Sequence, residues 1–116
     1  MKVVVTGSRH GFPRNKIKAR LMQLPKDVTI IEGEQEGVDL IARAVALELG
    51  FDVIGIPANW KRYGNPAGPI RNRRMLDLLC KDDLVIAFHA DFANSRGTKD
   101  CVNEAARRGI PTEIIS

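Results

Sequence analysis

Residues 3–11 read Val-Val-Val-Thr-Gly-Ser-Arg-His-Gly, and the junction between Thr6 and Gly7 decides how the remaining chain is read. A short run of β-branched residues that stops on glycine is a strand ending in a tight turn. Gly7 lets another group approach the backbone closely. The exposed amides of such a turn form an anion nest, with the Ser8 hydroxyl beside them. A plain Gly-Ser turn has the same letters. What separates the two readings is where the turn falls in the order of elements.

Working outward, apolar runs at Val28–Glu32, Asp52–Ile56, Leu84–Phe88 and Thr112–Ile115 join the first run, Lys2–Thr6, and nearly all are rich in Val and Ile. Continuous apolar runs indicate strands buried on both faces, as in a parallel sheet. Helical patterns lie between them at Arg14–Gln23, Val38–Leu49, Pro69–Cys80 and Thr98–Arg108, with Gly50 and Gly109 at helix stops. Strand and helix thus alternate along the chain. The expected fold is α/β: a Rossmann-like three-layer α/β/α sandwich with a five-stranded, mainly parallel sheet, one domain over residues 1–116. Right-handed crossovers put every strand-to-helix loop on one edge, and ligands of open α/β sheets bind at that edge. The turn at Gly7 is one of those loops, so the anion reading leads.

At 116 residues, 44% of them hydrophobic and 28% charged, the composition is that of a soluble globular domain able to bury one core. The formal net charge of +4 suits an anionic ligand, without the concentrated basic stripe of a nucleic-acid-binding domain. Cys80 and Cys101 are in no C-x-x-C pair and read as buried thiols of a reducing cytoplasm. Lys2 leads straight into a strand with no signal-peptide pattern, and no apolar run is long enough to span a membrane.

The edge loops carry the candidate ligand contacts: Gly7, Ser8, Arg9, Gly33, Gly37, Asp39, Tyr63, Arg71, Asn72, Arg96, Gly97 and Thr98. Arg9 reads equally as an anion contact or an ordinary surface charge. In Gly33–Asp39 (GEQEGVD), Gly37 opens a helix; Asp39 is either a partner for its dipole or an acceptor for ribose hydroxyls. The long loop from Pro57 to Gly68 interleaves Trp60 and Tyr63 with Lys61 and Arg62, a pattern that suits stacking on a base. Trp60 reads as the loop's anchor on the core and Tyr63 as the ligand contact. Gly97 and Thr98 begin the last helix, where free amides make a phosphate site and Thr98 also serves as an N-cap. In Ala67–Met75 (AGPIRNRRM), Pro69 suits the first helical position and Met75, Leu78 and Leu79 form the buried stripe. Arg71 and Asn72 then face the sheet, with a phosphate or an acid such as Asp39 to meet Arg71. Arg73 and Arg74 face solvent, with Asp77 as a surface partner. His10 and His89 lack metal-ligand spacing, with or without Asp91, and no metal is expected. On the second helix, Leu40, Ala44 and Leu47 lie opposite the inward stripe, a surface suited to a homodimer.

The ordered set VTGSR, GxxxGVD, P-x-x-W-K-R-Y-G, AGPIRN and RGT, running from Val5 to about Ile110, resembles the YspA-related branch of the SLOG superfamily. That superfamily includes the LOG phosphoribohydrolases and DNA-processing protein A. The resemblance implies a Rossmann-like fold and a nucleotide-derived ligand, such as an ADP-ribose-like molecule, at the strand ends. Glu34 and Glu36 stand where the family often has glycine and arginine. Cys101 stands where the LOG enzymes carry their catalytic glutamate, so their mechanism is not expected. Three functions follow. The first is binding of a nucleotide ligand that is sensed, sequestered or slowly processed, with no further cofactor. The second is a hydrolase cleaving an N-glycosidic or phosphate bond, with Asp39, Glu34 and Glu36 as candidate catalytic carboxylates. The third is a DNA-binding module using Arg9, Lys61, Arg62, Arg71, Arg73, Arg74 and Arg96.

Overall fold

In the computed structural model, which describes residues 1–116, the first strand β1 (Lys2–Gly7) is the middle of the sheet. Val3, Val4 and Val5 are wholly buried because helices cover both faces. Side chains alternate across a strand, so the three valines divide between two cores. Val3 and Val5 join Ile30, Ile86 and Phe88 under α1 (Arg14–Leu21) and α2 (Val38–Glu48). Val4 joins Ile31 and Val85 under α4 (Ala67–Leu76) and α5 (Gly97–Arg107). The result is the three-layer α/β/α sandwich.

The strands β2 (Thr29–Glu32), β3 (Asp52–Gly55), β4 (Leu84–Phe88) and β5 (Thr112–Ile115) complete an all-parallel sheet in the order β3-β2-β1-β4-β5. Val4 pairs in register with Ile31 on one side and Val85 on the other. The chain therefore reverses its direction of travel between β1 and β4, which opens a crevice at their carboxyl ends. The edge strands depart from the expectation of burial on both faces. Ile54 on β3 and Ile114 on β5 are exposed, since an edge strand has helix cover over only part of its surface.

Several boundaries differ from the sequence expectation. Helix α4 begins at Ala67, two residues before Pro69, with Pro66 as its cap. Proline is tolerated at that third position because the first four helical amides have no intrahelical partner. The buried stripe is consequently Ala67, Arg71, Asn72, Met75 and Leu76, while Leu78 is exposed. The helix ends at Leu76 rather than Cys80, which leaves the Cys80 thiol exposed and only Cys101 buried. Arg73 pairs across to Asp100 and Glu104 of α5 at 3.5 and 3.2 Å, and Asp77 is taken by Arg108. On α2, Leu40 and Leu47 are exposed, on the face the heptad spacing indicates. No helix is long and apolar enough to cross a membrane.

Candidate functional site

Two glycines bring the loops together at the switch point. A Cβ on Gly7 would lie 2.3 Å from the Phe88 carbonyl oxygen and 2.7 Å from Val38 Cγ2, so only glycine lets β1 end against β4 and α2. Gly37, at φ +86°, caps α2, and a Cβ there would lie 2.2 Å from the Ser8 carbonyl oxygen. That closeness allows Val38 N–H to donate to Ser8 O at 2.9 Å, while Ser8 N–H donates to Phe88 O at 3.1 Å. The Ser8 hydroxyl donates to His10 O at 2.6 Å and accepts from His10 N–H at 3.1 Å. Its hydrogen is spent inside the turn, so Ser8 offers a ligand a lone pair and not the donor that the sequence suggests.

On α4, Arg71 is 6% exposed and is held as a planar fork. Nη1 donates to Gly33 O at 2.8 Å and Nε to Asn72 Oδ1 at 2.9 Å. Asn72 in turn donates to Gly97 O and Asp100 Oδ2, tying α4 to the start of α5. The buried Asp39 carboxylate accepts from Gly33 N–H at 3.1 Å and Gln35 N–H at 3.4 Å. Burial outweighs the neighbouring Arg71 cation and those two amides, and lifts the Asp39 pKa to about 6. Arg71 Nη2 has no hydrogen-bond partner in the protein, yet it is not among the buried unsatisfied atoms. It is the free prong of the fork, and Arg71 lines a cavity of about 530 Å³ at the crevice.

The cavity wall holds Arg9, Arg71 and Arg96 against a single carboxylate, Asp100, with Trp60 as the one hydrophobic side chain. Gly97 and Thr98 present the N-terminus of α5 to it. Thr98 is the second helical residue and not the cap, a place taken by Arg96. His89 lines the cavity too, with Nδ1 accepting from Asp91 N–H at 2.9 Å. Gln35, with its amide oxygen turned to Arg9, accepts from Nε and Nη2 at 2.6 Å each. A smaller recess of about 210 Å³ shares Gln35, Trp60 and Arg71 with the main cavity and adds Gly33, Glu34, Pro57 and Ala58. Oriented cationic donors and a helix N-terminus bind an anion without further rearrangement.

The structure sorts the sequence candidates accordingly. Gly7, Ser8, Arg9, Arg71, Arg96, Gly97 and Thr98 line the main cavity, and Gly33 and Glu34 line the recess. Gly37, Asp39, Asn72, Tyr63 and Glu36 line neither. Asn72 holds Arg71, and Asp39 holds the Gly33 and Gln35 amides of the loop. Trp60, expected to anchor the loop on the core, is exposed and lines both spaces, while Tyr63 lines neither and lies against the Arg62 guanidinium at 5.2 Å. Four helical residues, Trp60–Tyr63 (α3), capped by Asn59 Oδ1 on Arg62 N–H, turn the loop that way. Cys101 is buried in the core, where desolvation pushes its thiol up to about 12, so it is no nucleophile.

Sequence reasoning missed Glu32, the last residue of β2. It is fully buried; Oε1 accepts from Glu34 N–H at 2.9 Å, and Oε2 has no partner. A carboxylate closing an apolar strand at the ligand edge was the available signal. Burial lifts its pKa to about 7, with Asp39 and Glu34 adding to the rise. A carboxyl raised in the folded state stabilises fully below its unfolded pKa and loses that contribution as pH climbs through the folded one. Stability should therefore fall from about pH 4 to about pH 7 as Glu32 and Asp39 ionise. Glu32→Gln should flatten that slope by roughly half in urea titrations across the range, and an unchanged slope would remove Glu32 from the account.

Residues 1–63 match the YspA, cpYpsA-related SLOG family. The Gene 61 protein of Mycobacterium phage D29 is 31% identical over 119 residues, covering 95% of this chain and 92% of the phage protein. The X-ray structure of DNA processing protein A (DprA) from Streptococcus pneumoniae superposes with a TM-score of 0.79 at 20% identity. That alignment takes in 99% of this chain but 50% of the other, so this chain spans half the length of that protein, and the likeness is one of fold. The matched segment holds Gly7, the Gly33–Asp39 loop and Trp60, the pieces that build the floor of the cavity and the recess, and the chain belongs to the YspA, cpYpsA-related SLOG family.

Proposed function

We propose that the chain binds a phosphate-bearing nucleotide ligand of the ADP-ribose kind at the carboxyl edge of the sheet. The observation that carries this reading is Arg71, whose Nη2 has no partner in the protein, in the wall of a cavity that Arg9, Arg96 and the start of α5 also line. At about 530 Å³ the cavity falls in the usual range for small-molecule sites, about 300–1,000 Å³. Its three arginines and the N-terminus of α5 suit phosphates and sugar hydroxyls. Binding is favoured over hydrolysis because the one carboxylate on the main wall, Asp100, is already engaged by Asn72 and Arg73. Asp39 faces the loop amides instead.

A thermal-shift series with ADP-ribose, NAD, AMP and a single-stranded oligonucleotide tests the reading. A ligand at 100 times its Kd stabilises the native state by about 2.7 kcal/mol, which raises Tm measurably. ADP-ribose should produce the largest rise, with little loss from 50 to 200 mM salt. If the oligonucleotide alone shifts Tm and its affinity falls steeply with salt, the chain is a DNA-binding module using the exposed Arg9, Lys61, Arg62 and Arg96. A flat response to every compound overturns both.

A further inference from the structure

The recess beside the cavity has a chemistry of its own. The main wall is cationic, but the recess carries a carboxylate, Glu34, between the apolar Pro57 and Ala58 and the indole of Trp60. Trp60 is 47% exposed, a large fraction for the only tryptophan of the chain. Its ring passes over Gly68, where an added Cβ would come within 3.4 Å of Cη2. Glu34 is held in an unusual backbone state: it is the one non-glycine residue at positive φ, +56°. Such strain is maintained by its surroundings, in this case by Glu32 Oε1 on the Glu34 amide. Its side chain is tied only to Arg43, at 2.9 Å on the surface, a pair worth little in water.

Behind it lies the anomaly of the fold, the unpartnered Oε2 of the fully buried Glu32. Glu32 Oε2 and Glu34 Cγ and Cδ all lie 2.8 Å from the place a Gly55 Cβ would occupy, so the two carboxyl groups stack over that glycine. At about 210 Å³ the recess is smaller than a site for a whole drug-sized ligand, about 300 Å³ or more, and takes one ring system. One aromatic wall, an apolar floor and an acceptor at the edge fit a planar heterocycle with an exocyclic amine. They fit a phosphate poorly, because Glu34 repels it.

We infer that the recess is a nucleobase subsite: the base slots along Trp60 and donates its amine to Glu34, while its phosphate lies beyond Arg71 in the main cavity. The inference builds on the nucleotide reading above and adds selection for amine-bearing bases to it. Arg71 and Gln35, shared by both spaces, mark where the sugar crosses from one to the other.

Calorimetric titrations with ribose 5-phosphate, AMP and inosine monophosphate separate the two levels. The unmodified chain should bind AMP at least about tenfold more tightly than either of the others, since inosine replaces the amine with an acceptor. Glu34→Gln should cut AMP affinity by about tenfold and erase the preference over inosine. Trp60→Ala should cost at least about fivefold for AMP. Ribose 5-phosphate binding should be unchanged in Glu34→Gln. Equal affinity for ribose 5-phosphate and AMP in the unmodified chain overturns the base subsite while the phosphate site stands. Equal losses for AMP and ribose 5-phosphate in Glu34→Gln overturn it as well. Failure of all three compounds to bind removes the nucleotide reading itself.

Discussion

Arg71→Ala should abolish nucleotide binding, by about 100-fold or more, and should also weaken the fold. Both effects come from one side chain facing two ways. Inward, the guanidinium supports Gly33 O and stands against Asp39, which is itself only 5% exposed. Removing the cation raises the Asp39 pKa further and leaves Gly33 O and Asn72 Oδ1 without their donors, a loss of about 1–3 kcal/mol. Outward, Arg71 lines the cavity, and Nη2, which has no partner in the protein, is the donor proposed to meet the phosphate. Arg71→Lys divides the two roles, because lysine keeps the charge against Asp39 but lacks the fork. Its unfolding midpoint should stay closer to the unmodified chain than that of the alanine variant, while affinity for ADP-ribose drops at least about tenfold. Arg73→Ala is the control: its side chain is 40% exposed, pairs with Asp100 and Glu104, and does not line the cavity, so binding should hold. Urea unfolding and calorimetry at a temperature where all variants are folded give the comparison. If Arg71→Lys binds as tightly as the unmodified chain, Arg71 is a structural residue alone.

The same division shows why parts of this molecule are legible in its sequence and others are not. Val3–Val5 and Leu84–Phe88 announce themselves because central parallel strands are apolar on both faces, a pattern that needs no knowledge of partners. The inward turn of Arg71 and Asn72 follows from helical spacing to Met75, and it survives the wrong helix start at Pro69 because spacing is independent of the first residue. Side chains governed by long-range contact are not readable this way. Asp39 turns back to the Gly33 and Gln35 amides because Glu34 takes positive φ, a loop conformation that its residue types do not announce. Trp60 and Tyr63 differ by three residues, and which of them meets the cavity is set by the α3 turn and by the space over Gly68. Glu32 looks like an ordinary strand end until Gly55, on the neighbouring strand, is seen to leave it room.

Gly7→Ala should be severely damaging, although it adds one methyl group. The new Cβ meets Phe88 O at 2.3 Å and the Val38 side chain at 2.7 Å, well inside van der Waals contact. Phe88 O is fixed backbone in β4 and accepts from Ser8 N–H, so it cannot swing aside as a flexible side chain would. Relief requires β1 and β4 to separate at their carboxyl ends, which breaks the Ser8–Phe88 hydrogen bond and shifts α2 through Val38. Overpacking of this severity costs about 3 kcal/mol, the upper part of its usual range. For a domain of this size that is a Tm loss of roughly 10–20 °C. Gly11 supplies the internal control, since a Cβ there meets nothing within 4 Å. Gly11→Ala should stay within about 0.5 kcal/mol of the unmodified chain, on the stabilising side if at all, because alanine narrows the unfolded ensemble. The contrast isolates the close approach at the switch point from any general cost of losing glycine. The floor of the cavity is that approach: the residues that crowd a Gly7 Cβ are the ones that bring Ser8 and the α2 turn under the ligand. Calorimetric scans of the two variants measure the difference directly, and a Gly7→Ala Tm within a few degrees of Gly11→Ala would mean that β1 and β4 do not close on each other at this point.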